Sequence, residues 1–195
     1  MARAGFVLVG GRSARMGRDK ALLPYRGKTL VDYVAQQVAA SAGSVTLVGH
    51  PERYRYLGYP SLPDERPGLG PLGGILTALG ATPADWNLVV ACDMPGLTAS
   101  FLGQLIEQAE AGDADCLAAR SETGLPEPLC AVYHRRCRES LAAWLDSGRR
   151  KAAGWLVSQR VAWHPVTSGD WLRNANTPAD WDPPPGSPAR EERHG

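Results

Sequence analysis

No apolar run in this 195-residue chain approaches the roughly 18 residues needed to cross a bilayer. The amino terminus has one brief apolar stretch followed at once by glycine and charge, which is not a signal-peptide pattern, so the expected location is the cytoplasm. Charge of one sign is missing as well. The 21 Lys and Arg against 20 Asp and Glu leave a formal net charge of +1, which excludes whole-chain attraction to nucleic acid or to an anionic membrane. Any anion site must be local. Cysteine is sparse: Cys92, Cys116, Cys130 and Cys137 are dispersed with no C-x-x-C pair, so structural zinc and disulfides are not expected and reduced core thiols are. His50, His134, His164 and His194 are equally scattered and support no histidine metal cluster. Internal repeats are absent, and the length suits one domain with a sizeable core.

What is present is concentrated at residues 4–20, AGFVLVGGRSARMGRDK. A short Val- and Leu-rich run ended by glycine reads as a strand buried on both faces of a parallel sheet. The segment leaves the carboxyl end of that strand. Gly10, Gly11 and Gly17 let a ligand approach backbone N–H groups, and Arg12, Arg15, Arg18 and Lys20 add positive charge, a combination suited to phosphates. The plainer alternative is a turn with solvated arginines. The spacing is not that of a Walker A loop. A G-x-G-x-x-G match at 68–73 follows no strand directly and is interrupted by Pro71, so no dinucleotide site is expected there.

Downstream, 24–28 reads as a turn and Thr29 with Asp32 as a helix start, with Leu30, Val34 and Val38 on one face. A second buried strand at 45–48 completes a β-loop-α-β unit and makes the fold class α/β. Residues 51–71, rich in Pro, Gly and Tyr, read as an irregular, ligand-facing segment leading past Asp64. Pro71 opens a helix, and 87–91 is a strand ended by Cys92-Asp93-Met94-Pro95. Because ligands in open α/β sheets bind beyond the carboxyl ends of strands, Asp93 and the glycine segment are expected on one rim. An Asp there serves either as a turn residue or as a ligand for Mg²⁺, which favours one or two carboxylates together with phosphate oxygens. A helix over 98–111, strands at 115–119 and 129–133, helices over 135–146 and 151–158 and a strand at 161–166 follow. Arg149-Arg150-Lys151 is either a solvated helix end or a second anion site. Residues 1–181 are expected to form the domain, and 182–195, with little apolar surface, a disordered tail.

Five ordered blocks, LVGGRSARMGRDKALL, GPLGGI, CDMP, PLCAVY and NANTP, make the chain resemble the molybdenum cofactor guanylyltransferases, within the wider group of pterin-cofactor and sugar nucleotidyltransferases. The resemblance implies a single-domain, three-layer, Rossmann-like sandwich with a mostly parallel sheet, of the nucleotide-diphospho-sugar transferase type. It implies transfer of GMP from GTP to molybdopterin. It further implies that Leu8, Val9, Gly10 and Gly11 hold the nucleotide, that Arg15 and Lys20 act on its phosphates, that Asp64 lies against the guanosine, and that Asp93 binds Mg²⁺. Arg149, Arg150, Asn174 and Asn176 are implied to face molybdopterin, and transient contact with other molybdenum cofactor proteins is implied for the product. Two departures stand out: Val9 replaces the usual Ala, and Val48 stands where a relative has a nucleotide-contacting Asn. A sister group that transfers cytidylyl groups commonly carries A-A-G where this chain has Val9-Gly10-Gly11, so the resemblance implies, through the second glycine, guanine over cytosine. The competing readings are cytidylyl transfer, nucleotidyl transfer to a sugar phosphate, a catalytically silent nucleotide-binding regulator, and a structural domain that binds any anion.

Overall fold

Side chains along the first strand point alternately into two separate cores. In β1 (Arg3–Leu8) Phe6 packs toward one helical layer and Val7 toward the other, and both are almost wholly inaccessible. The computed structural model describes residues 1–10 and 19–166. After β1 come a 3₁₀ turn (Lys20–Leu22), β2 (Pro24–Tyr25), β3 (Lys28–Thr29), α1 (Leu30–Ala42), β4 (Thr46–Val48), α2 (Pro51–Tyr54), a 3₁₀ turn (Arg55–Leu57) and β5 (Ser61–Leu62). Then follow α3 (Pro71–Gly80), β6 (Trp86–Ala91), α4 (Ala99–Ala111), β7 (Cys116–Arg120), β8 (Pro126–His134), α5 (Cys137–Asp146), α6 (Ala152–Leu156) and β9 (Val161–Pro165).

The helices begin where short-range chemistry says they should. The Asp32 amide donates to Thr29 Oγ1 at the start of α1, the Phe101 amide donates to Thr98 Oγ1 at the start of α4, and Pro71 occupies the first turn of α3. Seven strands form one sheet in the order β5-β4-β1-β6-β8-β7-β9, in which β8 alone runs antiparallel to its neighbours. α1 and α4 cover one face through Leu30, Val34, Val38, Phe101 and Leu105. α3, α5 and α6 cover the other through Leu72, Ile75, Leu141 and Trp155. The result is the expected three-layer α/β sandwich with a mostly parallel sheet. The connection through α1 moves from β1 to β4 and that through α4 moves the opposite way, from β6 to β7. Both helices nevertheless lie on one face, so these two crossovers have opposite hand.

Two stretches hold more order than the sequence indicates. Within 51–71 the chain forms α2, a 3₁₀ turn and β5, which pairs with Leu47 and Val48 at the sheet edge. A two-residue strand leaves no periodicity to read. The sequence starts the eighth strand at 129, whereas β8 begins at Pro126 after a register shift opposite Ala118 and Ala119, an irregularity that tolerates prolines. The turn at 24–28 is a tight hairpin between β2 and β3, with positive φ at Arg26 and Gly27. All four cysteines are free and buried, as expected.

Candidate functional site

Connections diverge between the neighbouring strands β1 and β6, because the chain leaves β1 toward β4 and leaves β6 toward β7. Such a switch point opens a crevice at the carboxyl ends of the strands. The strand ends are stitched together there. The Val9 amide donates to the Val48 carbonyl at 2.8 Å, the Gly49 amide to the Leu62 carbonyl at 2.9 Å, and the Cys92 amide to the Leu8 carbonyl at 3.2 Å. Gly49, at φ 144°, passes so close to Val9 that a Cβ would lie 1.7 Å from the Val9 carbonyl oxygen. Only glycine fits, and the tight crossing swings the next residue, His50, against Gly10.

Leu8 and Val9 present little but main chain to this crevice. The Leu8 side chain is turned toward α3, where a Cβ on Gly74 would meet its Cδ1 at 2.9 Å, and Val9 is 4% exposed in the opposite core. They form the floor, and Gly10, at φ 120°, is the first residue above it.

Lys20 is carried by the 3₁₀ turn that follows residues 11–18, and Asp19 holds that turn in place. Asp19 Oδ1 accepts from the Ala21 amide at 3.1 Å, while Oδ2 accepts from the Tyr54 hydroxyl at 2.8 Å and from Arg53 Nη1 at 3.1 Å. Tyr54 is fully buried, and burial together with the Asp19 carboxylate pushes its hydroxyl far above its ordinary value. It stays a neutral donor. The turn bearing Lys20 is therefore clamped to α2 and to the crossing that sets His50.

Asp93 lies in the turn after β6, half-buried on the same rim. Burial raises its pKa, while its own backbone amide and the positive charge of Lys20 pull it down. The lysine and the carboxylate thus sense each other, as the shared rim requires. Cys92, just before it, has its thiol pushed up to about 12, chiefly by burial and also by the Asp93 charge, so it is neutral at physiological pH and no nucleophile. Asp64, after β5, is half-buried with its pKa raised by burial and lowered by His50. Lys20, Asp64, Asp93 and the ends of β1 are thus brought to one edge of the sheet.

α5 runs antiparallel to β8 and so ends near this edge, where Arg66 of the β5–α3 connection pairs with Asp146 at 2.7 Å. Arg149 is exposed with its guanidinium 4.4 Å from the Trp144 ring centre. Arg150 donates to the Leu145 and Arg149 carbonyls at 2.8 Å and so finishes the helix. Gly11, Arg15, Asn174, Asn176 and the 182–195 tail lie outside the described residues.

Three residues at the rim go unremarked in the sequence. Asp19 was signalled only as one acid among four cations. His50 follows a strand end just as Asp93 does, and the same rim rule finds it. Glu127 needs the tertiary structure. β8 pairs with β6 from His134 to Cys130, and beyond that ladder, past the irregularity in β8, Glu127 comes near enough to Asp93 for the two charges to interact. Glu127 accepts from the Leu129 amide at 3.1 Å and is half-buried, and burial and the Asp93 charge raise its pKa. Two hard oxygen donors beside Lys20 suit a divalent cation that keeps its remaining positions for phosphate and water. Among the described residues no group of three or more His, Cys, Asp or Glu forms a complete cage. No helix among them is long and apolar enough to cross a membrane.

The sequence profile of the MobA-like NTP transferase domain matches residues 5–161. A Synechococcus elongatus protein named "Probable molybdenum cofactor guanylyltransferase" is 39% identical over 91% of this chain and 95% of its own length. The molybdenum cofactor guanylyltransferase of a Shewanella species is 35% identical over 80% of this chain and 81% of its own. The crystal structure of molybdopterin-guanine dinucleotide biosynthesis protein A from Archaeoglobus fulgidus superposes with a TM-score of 0.76 at 26% identity, covering 91% of this chain and 94% of that one. With its switch-point crevice and a family match running nearly from end to end of the described residues, the chain belongs to the MobA-like NTP transferase family.

Proposed function

We propose that this chain joins the terminal phosphate of molybdopterin to the α-phosphorus of GTP, forming molybdopterin guanine dinucleotide and releasing pyrophosphate. The observation that carries the reading is the convergence of Lys20 and Asp93 at the β1/β6 switch point. The names borne by the 35–39% identical relatives support guanylyl transfer in particular.

The acceptor oxygen forms a bond to the α-phosphorus as the bond from that phosphorus to the β-phosphate bridge breaks, and the electron pair leaves on pyrophosphate. A phosphate monoester has a second pKa of about 6, so the attacking oxygen is largely ionised at neutral pH and no protein base is required. The protein's work is to bring two polyanions together and to stabilise charge on the leaving group. Lys20 binds the phosphates, with Arg15 and the Gly10-Gly11 main chain beside it. Asp64 receives the guanosine, and Leu8 and Val9 form the floor under the nucleotide. Asp93 holds Mg²⁺, which when bound supplies charge neutralisation between the triphosphate and the carboxylate. Arg149 and Arg150, with Asn174 and Asn176, face the molybdopterin. The working unit spans 1–181, and the reaction is cytoplasmic, with the product handed to other molybdenum cofactor proteins.

The test is pyrophosphate release by the purified chain given molybdopterin, Mg²⁺ and either GTP or CTP. Release with GTP and little with CTP is expected. Release that requires CTP, or none with either nucleotide, would overturn the proposal.

A further inference from the structure

Val48, the last residue of β4, is turned away from the crevice. Its side chain is 1% exposed, in the core with Phe6, Leu72 and Ile75, and cannot reach the crevice. Two residues on, the structure offers another side chain. The Gly49 crossing, fixed by its contact with Val9, delivers His50 so close to Gly10 that a Cβ there would lie 3.0 Å from His50 Cδ2 and 3.3 Å from Nε2. His50 is solvent-exposed, and among the described residues no hydrogen bond engages its ring.

The backbone that carries this imidazole is tied down by hydrogen bonds. Pro51 follows it in the first turn of α2, and the His50 carbonyl accepts from the Arg53 amide at 3.0 Å. Arg53 and Tyr54 of the same helix bind Asp19, the residue that holds the Lys20 turn. A chain of hydrogen bonds therefore joins the His50 backbone to the turn that bears Lys20. Across from His50 stands the half-buried carboxylate of Asp64, which feels the histidine's charge without forming an ion pair with it. An exposed aromatic ring and a carboxylate acceptor thus flank the ends of β1, β4 and β5.

We infer that His50 is a nucleobase-contacting residue, its imidazole forming the wall against which the guanine of GTP packs while Asp64 accepts from the base's edge. The inference rests on the guanylyl-transfer reading above. Guanine presents a ring N–H and an adjacent amino group, two donors that one carboxylate accepts together. Cytosine and adenine turn a ring-nitrogen acceptor to the same position and leave the carboxylate facing a lone pair. A planar imidazole beside the carboxylate holds the base at the correct tilt and gains more from a two-ring purine than from a pyrimidine.

The experiment is equilibrium binding to the full chain with Mg²⁺ and no pterin, using GTP, CTP and inorganic tripolyphosphate as probes. Wild type is compared with His50→Ala and His50→Phe, and ligand-free melting verifies that each variant is folded. His50→Ala is expected to weaken GTP by about tenfold, the loss of one base–aromatic contact, and to leave tripolyphosphate unchanged. His50→Phe keeps a ring and is expected to restore most of the GTP affinity. Unchanged GTP binding in His50→Ala, or equal losses for GTP and tripolyphosphate, would overturn the inference. Wild-type preference for CTP over GTP would instead overturn the guanylyl reading on which it rests.

Discussion

The two edges of the sheet hold their carboxylates differently. At the amino ends of the parallel strands every cation named here has a carboxylate within reach. Arg3 Nε donates to Glu110 Oε1 at 2.8 Å, Arg136 pairs with Asp115 at 2.6 Å, and Arg160 pairs with Asp113 at 3.0 Å. These contacts tie β1 to α4, the β8–α5 turn to the start of β7, and the start of β9 to the end of α4. At the carboxyl ends, Asp64, Asp93 and Glu127 are half-buried carboxylates whose pKa values are all raised, chiefly by burial. Ion pairs occur at the carboxyl edge too, between Arg53 and Asp19 and between Arg66 and Asp146. What sets that edge apart is its desolvated acids near Lys20, an arrangement that costs stability.

Substitution of Lys20 or of the desolvated Asp93 should therefore cost turnover, with folding retained. Lys20→Ala and Asp93→Ala are each expected to lower kcat by about 10²–10³, as removal of one charge-stabilising contact does. Pyrophosphate release together with ligand-free melting measures both, and undiminished turnover in Asp93→Ala would remove that carboxylate from the reaction. A smaller effect is expected at the end of α5. Arg149→Ala should raise KM for molybdopterin about tenfold, the scale of one charge-assisted hydrogen bond, and leave GTP affinity alone. Equal losses for both substrates would show that Arg149 does not distinguish them.

The smallest effects bear most directly on the contrast between the edges. Asp64 has a raised folded pKa, so the folded state binds protons more tightly than the unfolded chain and the burial penalty is felt in full at neutral pH. Asp64→Asn should melt higher than wild type at pH 7, by under about 1 kcal/mol after solvent screening, and the difference should shrink as pH falls through the raised value and vanish below the ordinary carboxylate value. Glu110 has a lowered folded pKa, owing first to its hydrogen bond with Arg3, so its contribution is present above the ordinary carboxylate range. It is lost as pH falls through the lowered value. Glu110→Gln should melt lower at pH 7, again by under about 1 kcal/mol, and converge with wild type in acid. Melting curves from pH 3 to 8 that gave both variants the same sign at pH 7 would break the comparison.

Much of the fold was legible along the chain. Buried parallel strands read as continuous apolar runs, as at Trp86–Ala91, and helix starts announce themselves through Thr29, Pro71 and Thr98. Lys20 and Asp93 were legible because the rim rule needs only the order of strands and the residues that follow them. β5 was not, because two residues carry no period. Glu127 was not, because its nearness to Asp93 arises only once β6 and β8 meet in the folded sheet. The side chains of Leu8 and Val9 belong to the two cores, since alternation in a strand covered on both faces leaves only main chain for a ligand.

Local chemistry along the backbone was enough to name the α/β class, the glycine-rich turn with its cations, and the acid that ends β6, since each depends on residues adjacent in the chain. Where His50 sits, which carboxylate lies near Asp93, and how Asp19 anchors Lys20 emerged with the packed molecule, because each joins residues brought together by the fold. The contact between Gly49 and Val9 shows why: a single absent Cβ lets two strand ends touch, and that touch puts an imidazole against Gly10 at the mouth of the crevice.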